Sequence, residues 1–154
     1  MNKQDERKTI AVNRKARHEY FIDETCDAGI ALVGTEVKSI RAGRVNMQDS
    51  YVRIDDGEAW VHNMHISPYE QGNRWNVEPR RMRKLLLHKR EIARLAGKFQ
   101  ERGLAIVPLS LFLDHGYVKV EIGVGRGKKL YDRREAIAER ETERDRRREL
   151  SERS

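Results

Sequence analysis

A dense basic cluster is the part of this sequence whose residue types best fit a chemical task. Six of the eleven residues from 80 to 90 are lysine or arginine. They are Arg80, Arg81, Arg83, Lys84, Lys89 and Arg90. Cations at this density favour contact with phosphates, because neutralising a phosphate releases its condensed counterions. Lys38 and Arg41 are spaced i, i+3 on a predicted helix, where they could share a phosphate or remain solvated surface charges.

Other motifs that could carry chemistry are weaker. His62 and His65 have an H-x-x-H spacing, but no cysteine or third ligand accompanies them in a fixed pattern, so we predict no metal site. The glycine-rich run from Gly123 to Lys129 lacks the spacing and the Ser/Thr of a nucleotide-binding loop, which favours a hinge. The acidic residues form no recognisable cluster, so we predict no catalytic residue and no cofactor.

The C-terminal segment is too polar to pack on a core. From Asp132 onwards the apolar side chains are Ala136, Ile137, Ala138 and Leu150, which form no stripe on a helical wheel. Five arginines share an acid-free sector of about 100° that also contains Ile137. They are Arg133, Arg140, Arg144, Arg147 and Arg148. We expect a tail that is disordered when free and helical on RNA, the alternative being a solvated, disordered end.

Charge and composition limit the class of partner. The 154 residues carry a net charge of +7 with a pI near 9.7, which favours nucleic acid or an anionic membrane surface. The charge is segregated: residues 19–73 have four basic side chains against ten acids, whereas 74–102 have ten against three. No apolar run reaches the ~20 residues of a membrane span, and Cys26 is the only cysteine. We therefore expect a soluble protein of the cytoplasm with no membrane contact.

Local patterns predict the elements that position these residues. An aromatic and β-branched run, His18–Thr25, and an apolar run, Ile30–Val33, predict two strands around a turn at Asp27-Ala28-Gly29. Asp56-Gly57 predicts a tight hairpin, in which we expect Trp60 to be part of the core. Further strands are predicted at 104–113, with a bulge or edge at Pro108, and at 117–124, and helices at 35–40 and 89–102.

These elements favour a mainly β fold. About six strands paired by hairpins, with two to three short helices, predict a small closed antiparallel OB-like barrel. We divide the chain into a basic N-terminal arm at 1–17, an RNA-binding barrel at 18–125 and a charged tail at 126–154.

Four long segments together resemble the SsrA-binding protein (small protein B) family, whose members bind transfer-messenger RNA in bacterial ribosome rescue. The segments are NRKARHEYFI (13–22), GTEVKSIRAG (34–43), RKLLLHKREI (83–92) and GKKLYDRR (127–134). They span nearly the whole chain in the order of the family. The resemblance implies an OB-fold body that holds the tRNA-like domain of that RNA, and a tail that enters the decoding site and empty messenger channel of a stalled ribosome.

Residue roles follow from the resemblance and from the basic cluster. By motif, Asp27, Leu86 and His88 are expected to contact RNA through the body. The complete predicted RNA site is Asn13, Arg14, Lys15, Asp27, Lys38, Arg41, Arg83, Lys84, Leu86, His88, Lys89 and Arg90. Gly127 resembles the hinge of the family, and Tyr131 with Asp132–Arg134 resembles the segment that meets ribosomal RNA. The complete predicted ribosome-binding tail is Arg126, Gly127, Lys128, Lys129, Tyr131, Asp132, Arg133, Arg134, Ile137, Arg140 and Arg144.

Three classes of function are compatible with these residues. The first is an RNA-binding adaptor that acts as a monomer with transfer-messenger RNA and the ribosome, alongside elongation factor Tu on the aminoacylated RNA. The second is a ribosomal protein or translation factor with the same barrel. The third, an RNA-processing enzyme, fits least, because it needs paired acids with a metal or a histidine pair over a phosphate.

Overall fold

The computed structural model describes residues 7–71, 76–101, 103–128 and 140–148. In chain order the elements are β1 (Arg7–Val12), α1 (Arg14–Glu19), β2 (Tyr20–Ile30), α2 (Gly34–Arg41), β3 (Val45–Asn46), β4 (Tyr51–Asp55), β5 (Glu58–His62), β6 (His65–Ile66), β7 (Arg83–Leu86), α3 (Lys89–Gln100), β8 (Leu104–Asp114) and β9 (Tyr117–Gly127). Residues 140–148 form a further helix.

Antiparallel pairing closes six of the strands into a barrel. The ring runs β8-β4-β5-β7-β2-β9, and β9 pairs back onto β8, while β1 is added outside on β8. Ring closure removes the exposed edges that an open sheet of this size would present. The predicted closed antiparallel barrel of about six strands is confirmed.

The hairpin of β8 and β9 shows how the apolar pattern specifies the core. Val120, Ile122 and Val124 are buried, as their alternation predicts. The register shifts between Pro108 and Ser110, so the predicted irregularity at this proline is a bulge.

The hairpin predicted at Asp56-Gly57 is also present. Both residues have positive φ angles, 51° and 74°, which the tight turn between β4 and β5 requires. Ala59 and Val61 of β5 point inward and are fully buried. Trp60 lies between them on the outer face and is only half-buried, so its predicted place in the core is wrong.

The predicted turn at Asp27–Gly29 is wrong, because β2 is one strand of eleven residues. Asp27, Ala28 and Gly29 pair in register with Glu121, Val120 and Lys119 of β9. Asp and Gly are depleted from strands in general, but pairing with β9 from Lys119 to Gly127 outweighs that local preference. The irregularity of β2 lies instead between Ile22 and Glu24.

Residues 7–17 are part of the folded body and do not form a separate arm. β1 pairs with β8, and α1 packs against β2 and β8. Asn13 caps α1 by accepting the Ala16 N–H at 3.2 Å, and its own amide group donates to the carbonyls of Met47 (3.1 Å) and Pro108 (2.9 Å). One buried side chain thereby joins three segments of the chain.

A buried ionic network fixes α2 to the segment that leads into β7. The Glu36 carboxylate accepts hydrogen bonds from Arg81 and from Arg83 Nε, the latter at 2.7 Å. Arg83 is fully buried and also donates to the carbonyls of Met64 and Pro79. Burial alone would raise the pKa of Glu36, but the hydrogen bonds from Arg81, the Val33 amide and Arg83 outweigh it and hold that pKa below its usual range.

The amphipathic helix predicted at 89–102 is present as α3, and its apolar face packs on β4 and β8. In the tail, all of residues 140–148 are exposed, so this helix makes no contact that buries it. An isolated helix of this length is marginal in water, and its unfolding in the absence of RNA remains a prediction. No helix within the described ranges is long and apolar enough to cross a membrane.

The ionic network makes the stability of the fold dependent on Glu36. Glu36→Gln should lower the free energy of unfolding by about 3–5 kcal/mol, because it leaves the Arg83 guanidinium buried without its counter-ion. Since folding lowers the pKa of Glu36, its contribution is complete above the unfolded-state pKa and is lost as pH falls through the folded-state pKa. Urea denaturation across this acidic range measures both effects.

The matched control is Glu58→Gln, which breaks an exposed ion pair with Lys84 (2.9 Å) and should change stability by less than ~1 kcal/mol. Equal stability and equal pH dependence of the Glu36 variant and the control would contradict the role of the network.

Candidate nucleic-acid interface

An open groove of about 580 Å³ crosses the outer surface of the barrel where β2, β7 and the start of α3 meet. Five of the predicted RNA-binding residues line it: Asp27, Lys84, Leu86, His88 and Lys89. The structure therefore brings together residues that are up to 62 positions apart in the sequence. Lys119 of β9 also lines the groove, beside Gly29, with which it pairs.

The pairing of β7 decides which of its side chains reach the groove. β7 pairs with β5 through Trp60–Lys84 and with β2 through Gly29–Leu86. Side chains alternate across a strand, so Lys84 and Leu86 point outward and Arg83 points inward. Arg83 was predicted to contact RNA, and this is wrong, because the side chain is 0% exposed and bonded to protein groups.

Leu86 is an exposed apolar side chain in a basic surrounding. It is 54% exposed and lies directly over Gly29 of the neighbouring strand. A Cβ at position 29 would be 3.1 Å from the Leu86 Cβ, so a larger residue there would push Leu86 away from β2. Gly29 therefore allows Leu86 to lie across the floor of the groove.

The start of α3 forms one wall of the groove. His88 is the N-cap residue, and its backbone N–H donates to the Glu91 carboxylate at 3.4 Å. Lys89 and Arg90 are the first two residues of the helix, and both are exposed. The positive end of the helix dipole adds to these charges and favours an anion at this wall.

Several charges around the groove are already paired in the free protein. Lys84 Nζ is 2.9 Å from Glu58 Oε1, and Lys119 Nζ is 3.3 Å from Asp114 Oδ2. Asp27 Oδ2 accepts a hydrogen bond from Arg7 Nη1 at 3.1 Å. The side chains of the two lysine pairs are partly exposed, so these two pairs are weak and the lysines can exchange their partners for phosphate oxygens.

Other predicted residues lie away from the groove. Asn13 is 4% exposed and acts as the cap of α1, so its predicted contact with RNA is wrong. Arg14 is exposed, and Lys15 pairs with Asp49 at 2.7 Å. Arg90 lines a neighbouring cavity together with Arg94 of α3 and Cys26 of β2.

Lys38 and Arg41 contact different parts of the protein. Lys38 Nζ lies 5.3 Å from the centroid of the Tyr69 ring, whereas Arg41 donates to the carbonyl of Gly116 at 3.0 Å. Their shared phosphate site remains a prediction.

The tail leaves the barrel at the opposite end of β2 from the groove. Gly127 pairs with Tyr20, and Arg126 Nε lies 3.8 Å from Asp23 Oδ2. Lys128 Nζ is 5.1 Å from the centroid of the Phe21 ring. At ~3.3 Å per residue along β2, the tail exit and Asp27 are roughly 25 Å apart.

Most of the predicted tail site lies outside the described residues. These positions are Lys129, Tyr131, Asp132, Arg133, Arg134 and Ile137. Arg140 and Arg144 lie in the exposed helix at 140–148. Within that helix, Glu143 pairs with Arg146 at 2.8 Å and with Arg147 at 3.6 Å.

The sequence reasoning missed Arg7 and Lys119. The alternation of β9 places Lys119 on the outer face, but only its pairing with Gly29 of β2 shows that this face borders the groove. Arg7 gives no local signal, because its contact with Asp27 depends on the addition of β1 to β8.

His62 and His65, the pair considered as a metal motif, make different contacts in the structure. The His62 ring stacks on Tyr51, with centroids 5.2 Å apart and planes inclined by 3°. His65 belongs to β6, which pairs with β3. Burial and the nearby Arg53 lower the pKa of His62.

Comparison with known proteins identifies relatives along the whole chain. The family model of the SmpB protein matches residues 10–152. The SsrA-binding protein of Clostridium perfringens (strain 13 / Type A) is 60% identical over 154 residues, which is 100% of this chain and 99% of the relative. That of Carboxydothermus hydrogenoformans is 62% identical over 138 residues, which is 90% of this chain and 93% of the relative.

A solved structure also matches. A chain from the structure described as "tmRNA-SmpB: a journey to the center of the bacterial ribosome" is 55% identical, with a TM-score of 0.66 over 77% of this chain and 83% of that chain. The match in fold thus accompanies the match in sequence. Together these relationships show that the chain belongs to the SmpB protein family.

Proposed function

We propose that this protein binds transfer-messenger RNA, also called SsrA RNA, and delivers it to stalled ribosomes for trans-translation. The groove is the observation that carries the proposal, since it gathers Asp27, Lys84, Leu86, His88 and Lys89 from separate parts of the chain. The names of the relatives, which are SsrA-binding proteins, and of the matching tmRNA-SmpB structure support this choice of RNA.

The groove has the chemical groups that structured RNA requires. Lys84, Lys89 and Lys119 can contact phosphates, and the Asp27 carboxylate can accept a hydrogen bond from a base N–H or a ribose hydroxyl. Leu86 offers an apolar surface to a base or ribose, and His88 can stack or donate. The groove thus combines cations with a hydrogen-bond acceptor and an apolar side chain. This combination fits the phosphates, bases and riboses of a folded RNA better than a polyanion that offers only charge.

We assign the tail to the ribosome. In this proposal it enters the decoding site and the empty messenger channel, with Gly127 as the hinge. The distance of roughly 25 Å between its exit and Asp27 lets the body hold one RNA while the tail contacts another. The exposed helix at 140–148, with Arg140 and Arg144 one turn apart, offers arginines to ribosomal RNA.

The remaining parts of the proposal concern partners and chemistry. The protein acts as a monomer in the cytoplasm, together with elongation factor Tu on the aminoacylated RNA. It works by binding and catalyses no reaction, and it needs no cofactor. The family to which it belongs is one of RNA-binding proteins, which supports an adaptor over an enzyme.

An RNA pull-down tests the proposed function. The tagged full-length protein should enrich one abundant structured RNA, transfer-messenger RNA, as measured by sequencing of the bound fraction. Recovery of ribosomal RNA in equal molar amounts, without that enrichment, would instead indicate a ribosomal protein. Mg²⁺-dependent cleavage of the captured RNA would contradict the assignment as a binding protein.

A matched pair of lysine variants extends this test to the groove. Lys89 lines the groove, whereas Lys98 lies near the other end of α3, 3.8 Å from Glu101. Lys89→Ala should weaken transfer-messenger RNA binding and reduce the slope of log affinity against log salt by about 0.7–0.9, the value of one phosphate contact. Lys98→Ala should change the slope little, and equal effects of both would place the RNA elsewhere.

Removal of the tail separates binding from delivery. A chain that ends at Tyr131 keeps the whole groove, so its affinity for transfer-messenger RNA should stay within about threefold of the full chain. The same truncation should abolish tagging of peptides on stalled ribosomes in a reconstituted translation assay. Comparable loss of RNA affinity and tagging would mean that the tail belongs to the primary RNA site.

A further inference from the structure

Arg7, the first residue of β1, is held by three side chains on the outer face of the barrel. Its guanidinium carbon lies 3.7 Å from the centroid of the Phe112 ring, which is itself buried. Nη1 is 3.1 Å from Asp27 Oδ2, and Nη2 is 3.6 Å from Glu121 Oε2. The other oxygen of Glu121 accepts a hydrogen bond from Arg17 at 3.2 Å.

These contacts restrict the orientation of the guanidinium. Phe112 holds the guanidinium over its ring, and the carboxylates of Asp27 and Glu121, which are paired neighbours on β2 and β9, contact Nη1 and Nη2. Arginine suits this arrangement because its planar fork can stack on a ring while it donates at its edges. The side chain thus links the β1 edge of the barrel to a residue that lines the groove.

The negative charge of Asp27 is unfavourable next to RNA phosphates, and the contact with Arg7 balances this charge. An ionised carboxylate only accepts hydrogen bonds, so next to phosphates it repels unless its charge is balanced and an RNA donor faces it. Arg7 occupies Oδ2 and supplies the balancing charge, which leaves Oδ1 for a base N–H or a ribose hydroxyl. A carboxylate with one oxygen fixed has fewer orientations to lose when RNA binds.

We propose that Arg7 is a positioning residue of the RNA groove, which acts by holding and neutralising Asp27; this inference rests on the RNA-binding function proposed above. Both side chains are partly exposed, 40% and 46%, so the pair contributes little to folding. Removal of Arg7 should therefore change the affinity for RNA, and this change should depend on the presence of Asp27.

A double-mutant cycle tests this role with the full-length protein and transcribed transfer-messenger RNA. Fluorescence anisotropy compares the wild type with Arg7→Ala, Asp27→Ala and the double variant at one salt concentration. Arg7→Ala should weaken binding by about tenfold in the wild type and by less than about twofold when Asp27 is absent. Arg7→Lys should recover part of the affinity, because it restores the charge without the fork.

The neighbouring exposed residue Lys8 provides the control for charge. Its side chain leaves the strand on the opposite face, so Lys8→Ala removes the same charge without reaching Asp27. We expect a loss of less than about threefold that is independent of Asp27. Thermal unfolding of every variant, including Arg7→Gln, which keeps a polar side chain at this position without the charge, separates a binding defect from loss of folding.

Each alternative role gives a different outcome. An equal loss from Arg7→Ala with and without Asp27 would overturn the proposal, because Arg7 would then contact RNA by itself or merely support the fold. An Asp27→Ala variant with unchanged affinity would overturn it as well. If the wild type bound transfer-messenger RNA no better than a ribosomal RNA fragment of equal length, the proposed function itself would fail, whatever the cycle showed.

Discussion

The structure depends on the closure of the barrel through β7, a strand of only four residues. β7 pairs with β5 on one side and with β2 on the other, and without it the ring would be open between them. The same pairing sends Arg83 and Leu85 into the interior and Lys84 and Leu86 to the surface. The pairing of β7 therefore both closes the barrel and forms the groove.

The strand that closes the barrel is unusual because one of its inward side chains is an arginine. Burial of Arg83 is tolerated because Glu36 neutralises it and the carbonyls of Met64 and Pro79 accept its remaining donors. Through this network, helix α2 and the segment before β7 are fixed relative to the groove. Stability of the fold and the position of the side chains that line the groove are coupled for this reason.

The groove and the tail exit lie on the same pair of strands, whose register shifts between Ile22 and Glu24. Strands β2 and β9 pair from Tyr20–Gly127 at one end to Gly29–Lys119 at the other. The pairing of these strands thus separates the two surfaces along the barrel. In the proposed function, this separation allows the body to hold one RNA while the tail reaches a second one.

Part of the fold could be predicted from the sequence, because it depends on interactions between neighbouring residues. The turn at Asp56-Gly57, the alternation of β9 and the apolar face of α3 each follow from neighbouring residues, and the barrel follows from their sum. The position of Asp27 inside a strand could not be predicted locally, because it depends on pairing with Glu121, 94 positions later.

The roles of buried polar residues were the other feature that could not be predicted from the sequence. Asn13 and Arg83 belong to motifs that look like RNA contacts, yet both are bonded to carbonyl or carboxylate groups far away in the chain. Sequence shows that a side chain is polar or charged, but not whether a distant partner satisfies it in the interior. Arg7 is the converse case, since a residue outside every motif contacts Asp27 of the groove only through the topology of the sheet.

The central claim, that RNA occupies the groove beside β7, is tested most directly by amide hydrogen exchange in the free and bound protein. The amides of Lys89 and Arg90 begin α3 and have no acceptor in a preceding helical turn, so they should exchange readily in the free protein. Bound transfer-messenger RNA should slow exchange across residues 86–91 and leave the other end of α3, near Lys98, less affected. Unchanged exchange at 86–91, with protection confined to residues 14–19, would contradict the account.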